Sequence, residues 1–428
     1  MQSIKHFRFF IFVLSAPIFL PLLLNPYHPI YTAAVFVLSL VSLLIADKES
    51  ETFDSNLSMI KIINYLFIAI IILKMIVYKD YSDQIFKLII PFILSLVVLR
   101  YSQSVPDQSS EEFIQKCFRA VYYIFVIQFI LSVFESLLGS FLVADYNIAN
   151  KNYFAESDIF INRFIIPVPL FLNPFNYLHF GLSGLLGQHN QWGMQLPVYN
   201  MIFLYAYLRK KEKIYLTIMM LVIIAQVLNT TRTSLVLIVL SDLFMFFYLY
   251  VKKSKKSKWL IYFAAVSGIL IFSDKIIALL QAIVTKSDTL TVRLSIYQYA
   301  WYYLKAHFLE LLIGYDNRII GNLVIGFLRT AKYNAILRGF ENGFFDMTFI
   351  YGIAGFFLFL CIVTTTLMIL WKNVYGKLLS ILFILYVIII NMTLSDIFLP
   401  YAFPFTTLLL IIISRDAVMQ RNSIETSH

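Results

Sequence analysis

Arg232 stands in Asn229-Thr230-Thr231-Arg232-Thr233-Ser234, directly ahead of the apolar run Leu235-Val236-Leu237-Ile238. Hydroxyls, an amide and a fixed cation at a helix start, where unpaired backbone N–H groups point outward, make a receptor for a diphosphate. Arg293 and Arg338 offer the same charge, with Arg318, Arg329 and Lys332 behind them. A guanidinium stays protonated at any physiological pH and grips phosphate bidentately, so such a set would hold a diphosphate and stabilise it as a leaving group. Glu341, followed by Asn342 and Gly343, is the expected proton acceptor, because it lies where a polar insert meets an apolar segment. Partial desolvation there suits a carboxylate to general-base work, whereas nearby arginines oppose it, so the balance stays open. His189 and Asn190, in Gly187-Gln188-His189-Asn190-Gln191-Trp192-Gly193, are weaker candidates for substrate contact, as are Tyr297 and Asn342. Plainer readings stand beside these. Arg232 would snorkel to lipid headgroups, Glu341 would complement a helix dipole, and His189 would be structural.

The elements that must position these residues follow from composition. The chain of 428 residues is 60% hydrophobic, 17% aromatic and only 14% charged. A water-soluble domain carries nearer a quarter of charged residues, so this chain belongs in lipid. Apolar windows long enough to cross a hydrocarbon core as helices recur along it, and barrel strands would be shorter and would alternate. We expect an all-α polytopic membrane protein with about 12 transmembrane helices. The segments lie near residues 8 to 24, 30 to 46, 60 to 78, 84 to 100, 118 to 138, 193 to 208, 214 to 228, 233 to 251, 258 to 273, 344 to 371, 376 to 393 and 399 to 414.

The connections set the orientation. Lys5, Arg8, Arg100, Lys116, Arg119, the run Arg209-Lys210-Lys211-Glu212-Lys213, the lysine block 252 to 258, Lys372, Lys377, Arg415 and Arg421 all fall on one side. Positive charge marks the cytoplasm, so both termini are expected there, and the long inserts 139 to 192 and 274 to 342 face outward. The lysine block invites a nucleic-acid or lipid-switch reading, but a topology determinant is the simpler one, and no nucleic-acid partner is expected. The N-terminal segment lacks a small-residue cleavage site before Pro26 and is expected to remain as a first helix rather than be cleaved as a signal. The chain reads as a single transmembrane domain, 1 to 428, elaborated by the two inserts. The second insert is the candidate catalytic region and has eight Lys or Arg against five Asp or Glu, a bias suited to a phosphate-bearing substrate. Within it, 290 to 313 reads as one amphipathic helix along the interface. Pro167, Pro169 and Pro174 break helices in the first insert. Asp242 and Asp346, inside apolar runs, are expected to face a cavity or a partner. Cys117 and Cys361 form no framework, and no zinc, Walker or nucleotide-sugar motif occurs, so neither metal nor cofactor is expected.

At these residues the chain resembles the O-antigen polymerase and ligase superfamily of bacterial inner membranes. The matching pieces are Gly184 to Gly193, Thr230 to Leu235, and Arg293 with Tyr297 and Ala300 leading to Leu312-Ile313-Gly314-Tyr315. The last is Glu341 to Asp346 leading to Tyr351-Gly352-Ile353-Ala354-Gly355. The ordered set covers roughly 184 to 360, and the other segments agree only in kind. The resemblance implies a fold similar to integral-membrane (GT-C-like) glycosyltransferases and a metal-independent, inverting glycosyl transfer in the periplasm. Its polymerases move a glycan from undecaprenyl diphosphate onto a newly arrived lipid-linked repeat unit. Partners so implied are undecaprenyl-diphosphate-linked glycans, membrane lipids and a chain-length regulator. On that pattern Arg232 and Arg293 bind the donor diphosphate and Glu341 orients or deprotonates the acceptor; Arg338 is added on local chemistry. The family's ligases usually carry His-Asn where this chain has Glu341-Asn342, which favours polymerase over ligase. Many members also place an Arg before the Gly-containing piece, where this chain reads His179-Phe180-Gly181. The rival from another class is a flippase or transporter for lipid-linked sugars, against which stands the lack of a repeated half.

Overall fold

The computed structural model describes residues 7–23, 29–45, 55–106, 109–138, 189–229, 232–253, 298, 301–303, 305, 307–316, 343–393 and 402–425. Its helices in chain order are α1 (Phe7–Phe19, continued by a 3-10 turn Leu20–Leu22), α2 (Pro29–Ile45), α3 (Ser55–Tyr78), α4 (Asp83–Gln103) and α5 (Ser110–Leu138). Then come α6 (His189–Lys210), α7 (Lys213–Asn229), α8 (Arg232–Lys253), the short α9 (Phe308–Ile313), α10 (Gly343–Trp371), α11 (Gly376–Thr393) and α12 (Phe403–Glu425). No strand occurs among the described residues. Every expected apolar segment overlaps one of these helices except 258 to 273, which lies outside the described residues.

Stretches within α3, α4, α5, α10 and α12 are long and apolar enough to cross a membrane, and α1, α2, α7, α8 and α11 hold shorter apolar stretches. The chain therefore has the helical character of a membrane protein. The ends of several helices follow local chemistry. Pro29 opens α2, where a missing N–H costs nothing. Lys79 after α3 and Lys211 after α6 take positive φ (50° and 58°), as a left-handed residue closing a helix does. Lys211 lies over the Tyr207 and Tyr375 rings at 5.5 and 5.4 Å, and its N–H donates to the Tyr207 carbonyl at 2.8 Å.

The described residues fall into two compact units. The first comprises Met1–Val239, Phe357–Ile390 and Ile397–His428. Its centre is α4, α6 and α12, while α3 and α5 expose much of their apolar surface. From Trp192 to Ala206, α6 is buried at every residue. Lipid is as apolar as leucine, so helices inside a bilayer are tied by polar contacts and close packing rather than by a hydrophobic drive. Such ties are present. Asn64 Nδ2 donates to Ser95 Oγ at 2.8 Å, and Ser95 Oγ pairs with Thr407 Oγ1 at 2.8 Å, joining α3, α4 and α12. Phe92 stacks on Phe67 at 4.6 Å and meets Phe403 edge-on at 5.8 Å.

The second unit comprises Leu240–Phe356 and Asn391–Asp396. Two glycines cross in it. Gly314 (φ 89°) ends α9, and Gly352 (φ 71°, ψ −176°) breaks α10. A Cβ on Gly314 would collide with the Ile350 carbonyl, and one on Gly352 with the Leu312 carbonyl, so the backbones touch where no side chain fits. The Tyr315 N–H donates to the Phe349 carbonyl at 2.6 Å and closes the crossing. The expected segment 344 to 371 coincides with α10, which Gly352 breaks where it crosses Gly314. One expectation is corrected here. The helix expected over 290 to 313 is interrupted at His307 (φ −128°, ψ 87°), which starts α9 instead.

Candidate functional site

Three of the sequence motifs coincide with helix starts. His189 and Asn190 are the first two residues of α6, Arg232 is the first of α8, and Glu341 and Asn342 immediately precede Gly343, the first of α10. For His189, Asn190 and Arg232 the backbone is described; Tyr297, Arg293, Arg338, Glu341 and Asn342 lie outside the described residues, as do Arg318, Arg329 and Lys332.

Within the first unit the register of α6 and α7 bears on how the His189 and Arg232 motifs relate. The two helices form an antiparallel hairpin joined by Lys211 and Glu212, and they pack together along their length. With 22 residues against 17, α6 overshoots the end of α7 by about 7 Å at 1.5 Å per residue. Asn229 ends α7 and Arg232 begins α8 three residues on, a reach of at most about 11 Å. The hairpin therefore returns the chain to the end of the molecule from which His189, Asn190 and Trp192 set out. Trp192 and Ser234, in the first turns of α6 and α8, are both 0% exposed.

One turn below Trp192 lies a ring of three hydrogen bonds that sequence reading missed. Gln128 Nε2 donates to Gln195 Oε1 (3.2 Å), Gln195 Nε2 to Tyr199 Oη (2.8 Å), and Tyr199 Oη to Gln128 Oε1 (2.7 Å). All three residues are fully buried. The i, i+4 spacing of Gln195 and Tyr199 puts them on one face of α6, and two polar side chains at that spacing in an apolar helix were the available signal.

The opposite end of α6 carries the densest charge cluster among the described residues. Arg209 Nε donates to Asp416 Oδ1 at 2.7 Å, its Nη1 donates to Glu111 Oε1 at 3.2 Å, and its Nη2 pairs with Glu111 Oε2. Lys210 Nζ reaches Glu111 Oε1 at 2.6 Å. Tyr205 Oη donates to Asp416 Oδ2 at 2.5 Å and accepts from Asn373 Nδ2 at 2.8 Å. Arg415 donates to Ser110 Oγ (2.6 Å) and to the Val105 (2.8 Å) and Ser102 carbonyls, and Arg100 Nη1 donates to the Leu43 carbonyl (2.8 Å). This end gathers the C-termini of α2, α4 and α6, the C-terminal half of α12, the start of α5 and the turn between α10 and α11. Arg209 and Lys210 are met by Glu111 and Asp416, and Arg100 and Arg415 by backbone carbonyls and Ser110, so the cluster ties helices together.

In the second unit an aromatic cluster adjoins the glycine crossing. Tyr303 stacks on His307 at 4.5 Å, Tyr315 stacks on Phe349 at 4.9 Å, and Tyr303 and Tyr315 meet at 5.3 Å. Lys305 lies 5.1 Å over the exposed Trp301 ring. The crossing brings together two pieces that sequence reading left separate, Leu312-Ile313-Gly314-Tyr315 and Tyr351-Gly352. Asp242 is buried and Asp346 partly so, and neither is free of interactions. Among the described residues no group of His, Cys, Asp or Glu is placed to hold a metal ion. No protein-family model and no curated protein matches the chain.

Proposed function

We propose that this protein is a glycosyltransferase that polymerises undecaprenyl-diphosphate-linked oligosaccharide repeat units, of O-antigen or a related surface polysaccharide, at the periplasmic face of a bacterial inner membrane. The observation that carries the reading is that His189-Asn190 and Arg232 open helices of this membrane protein, and that Gly343, next in sequence after Glu341-Asn342, opens another. Three such starts supply unpaired N–H groups and positive dipole ends, the chemistry a diphosphate requires.

The charge rule supports one side for all three. Arg209, Lys210, Arg415, Lys372 and Lys377 follow or flank the other ends of these helices and their neighbours, and basic residues mark the cytoplasm. In this reading Arg232, with Arg293 and Arg338, holds the donor diphosphate and stabilises it as the glycosidic bond breaks. Glu341 takes the proton of the acceptor hydroxyl as its oxygen bonds to the anomeric carbon from the face opposite the leaving diphosphate, so the glycosyl–phosphate bond breaks and the configuration inverts. His189, Asn190, Asn342 and Tyr297 contact the sugars. No metal is needed, since permanent cations neutralise the leaving group.

A strain lacking the protein tests this. Loss of a polymerase leaves lipid A core capped with a single repeat unit, whereas loss of a ligase leaves core with none. We expect the single repeat. Core without any repeat would move the assignment to ligase.

A further inference from the structure

The turn between α3 and α4 buries a carboxylate that no cation meets among the described residues. Asp80 is 2% exposed. Its Oδ1 accepts the Ser82 N–H at 3.0 Å, and among the described residues nothing bonds to its Oδ2. Neither Lys74, buried earlier on α3, nor the exposed Lys79 pairs with it. Of the buried side-chain atoms left without a partner among the described residues, Asp80 Oδ2 is the only carboxylate oxygen. Two hydroxyls share its condition. Ser82 stands at the N-cap of α4 yet makes no side-chain cap hydrogen bond, although a serine there ordinarily accepts from the first turn. Its Oγ is buried and unpartnered among the described residues, as is the Oγ1 of Thr32, 1% exposed, in the first turn of α2.

Packing brings Thr32 to the same corner. Phe36 meets Phe86 edge-on at 5.3 Å, and Arg100 Nη1 donates to the Leu43 carbonyl at 2.8 Å, so α2 and α4 run parallel in one register. Thr32 precedes Phe36 by four residues and Ser82 precedes Phe86 by four, one helical turn in each case. The two hydroxyls therefore stand level, with Asp80 bonded to the Ser82 backbone. Each hydroxyl is able to donate to Oδ2 and neither does, so all three oxygens keep lone pairs for another partner. A water would supply hydrogen bonds but no charge, and a buried carboxylate stays costly until a positive charge meets it. Oxygen ligands suit a hard cation. One carboxylate balances one positive charge, and no cluster of acidic or histidine residues that would hold a divalent ion occurs among the described residues. The C-terminus of α3, whose last turn has no basic residue, adds the negative end of its dipole. The start of α4 is engaged by Oδ1 through the Ser82 N–H, which leaves Oδ2 for the ion. We propose that Asp80 Oδ2, Ser82 Oγ and Thr32 Oγ1 bind a singly charged alkali cation that pins the starts of α2 and α4 to the end of α3. The site stands independently of the function proposed above.

The test measures retention of radioactive sodium by the full chain in detergent micelles, with choline chloride holding the ionic strength constant. We expect saturable retention of a single ion per chain, its loss in Asp80→Asn, about tenfold weaker binding in Thr32→Val and wild-type binding in Thr32→Ser. Sodium should also raise the thermal unfolding midpoint of the wild-type chain and leave that of Asp80→Asn unmoved. Thr32→Val, close to threonine in shape, keeps the test valid if Asp80→Asn fails to fold. The inference is overturned if retention does not saturate, in which case the corner holds only water, or if Asp80→Asn retains sodium as the wild type does. Unchanged binding in Thr32→Val overturns it as well, because the ion would then lie elsewhere. Displacement by magnesium at lower concentration than by unlabelled sodium overturns the single charge.

Discussion

The two ends of α6 are built on opposite plans. At its C-terminal end Tyr205, Arg209 and Lys210 reach Glu111 of α5, Asp416 of α12 and Asn373 beyond α10, and each charge finds a countercharge. At its N-terminal end, about 33 Å away for 22 residues, Trp192 is just as buried but its donor has no partner among the described residues. A buried ion cluster with every member paired fixes helix positions, and breaking one member leaves a stranded charge. A buried donor left without an acceptor costs about 1–3 kcal/mol of desolvation. At one end of α6 the charges are met by countercharges; at the other a buried donor has no partner among the described residues.

Substitutions separate the two. The largest effect on activity is expected from Arg232→Ala, which should abolish chain growth with protein level unchanged; Arg232→Lys should recover little, because a point charge does not grip phosphate bidentately. Normal polymer from Arg232→Ala would erase the functional contrast between the ends. For Glu341→Gln, turnover should fall by about two to four orders of magnitude with donor binding kept, read by single-turnover kinetics and a separate binding assay. Unchanged turnover would make it a structural residue.

Effects on stability should sort differently. Gly352→Ala forces a side chain into the Leu312 carbonyl at positive φ and should destabilise by about 2–4 kcal/mol, seen as lost folded protein in a detergent melt. Asp416→Ala removes one of the two carboxylates that hold Arg209, whose side chain is 11% exposed, and the acceptor of Tyr205, and should cost about 1.5–3 kcal/mol while turnover per folded molecule stays the same. Glu111, at 44% exposure, is the mildest case: Glu111→Gln should cost no more than about 1 kcal/mol. A loss of catalysis in Asp416→Ala without a loss of stability would overturn the division of labour along α6.

The helices were legible because each rests on a local property, an apolar window bounded by polar or helix-breaking residues. Ranges such as 376 to 393 for α11 follow from that alone. What α6 does was less legible. Its polar content makes it look like a poor membrane helix, yet it is buried from Trp192 to Ala206, because the bundle rather than lipid surrounds it there. The break at Gly352 depends on Gly314, 38 positions earlier in the chain, and no window of sequence around Tyr351 contains that partner. The pairing of Arg209 with Asp416 spans 207 positions and is invisible for the same reason. Of the candidate site, the motif positions were readable, since helix starts carry residue preferences. The unmet donor of Trp192 was not, because burial and the absence of a partner belong to the packed chain.

The most direct measurement reconstitutes the purified protein in liposomes with undecaprenyl-diphosphate-linked repeat units and no energy source, then resolves the lipid-linked products by length. The account predicts a ladder of longer glycans that vanishes in Arg232→Ala. Repeat units that stay single, with the wild-type protein folded and the donor present, would contradict it.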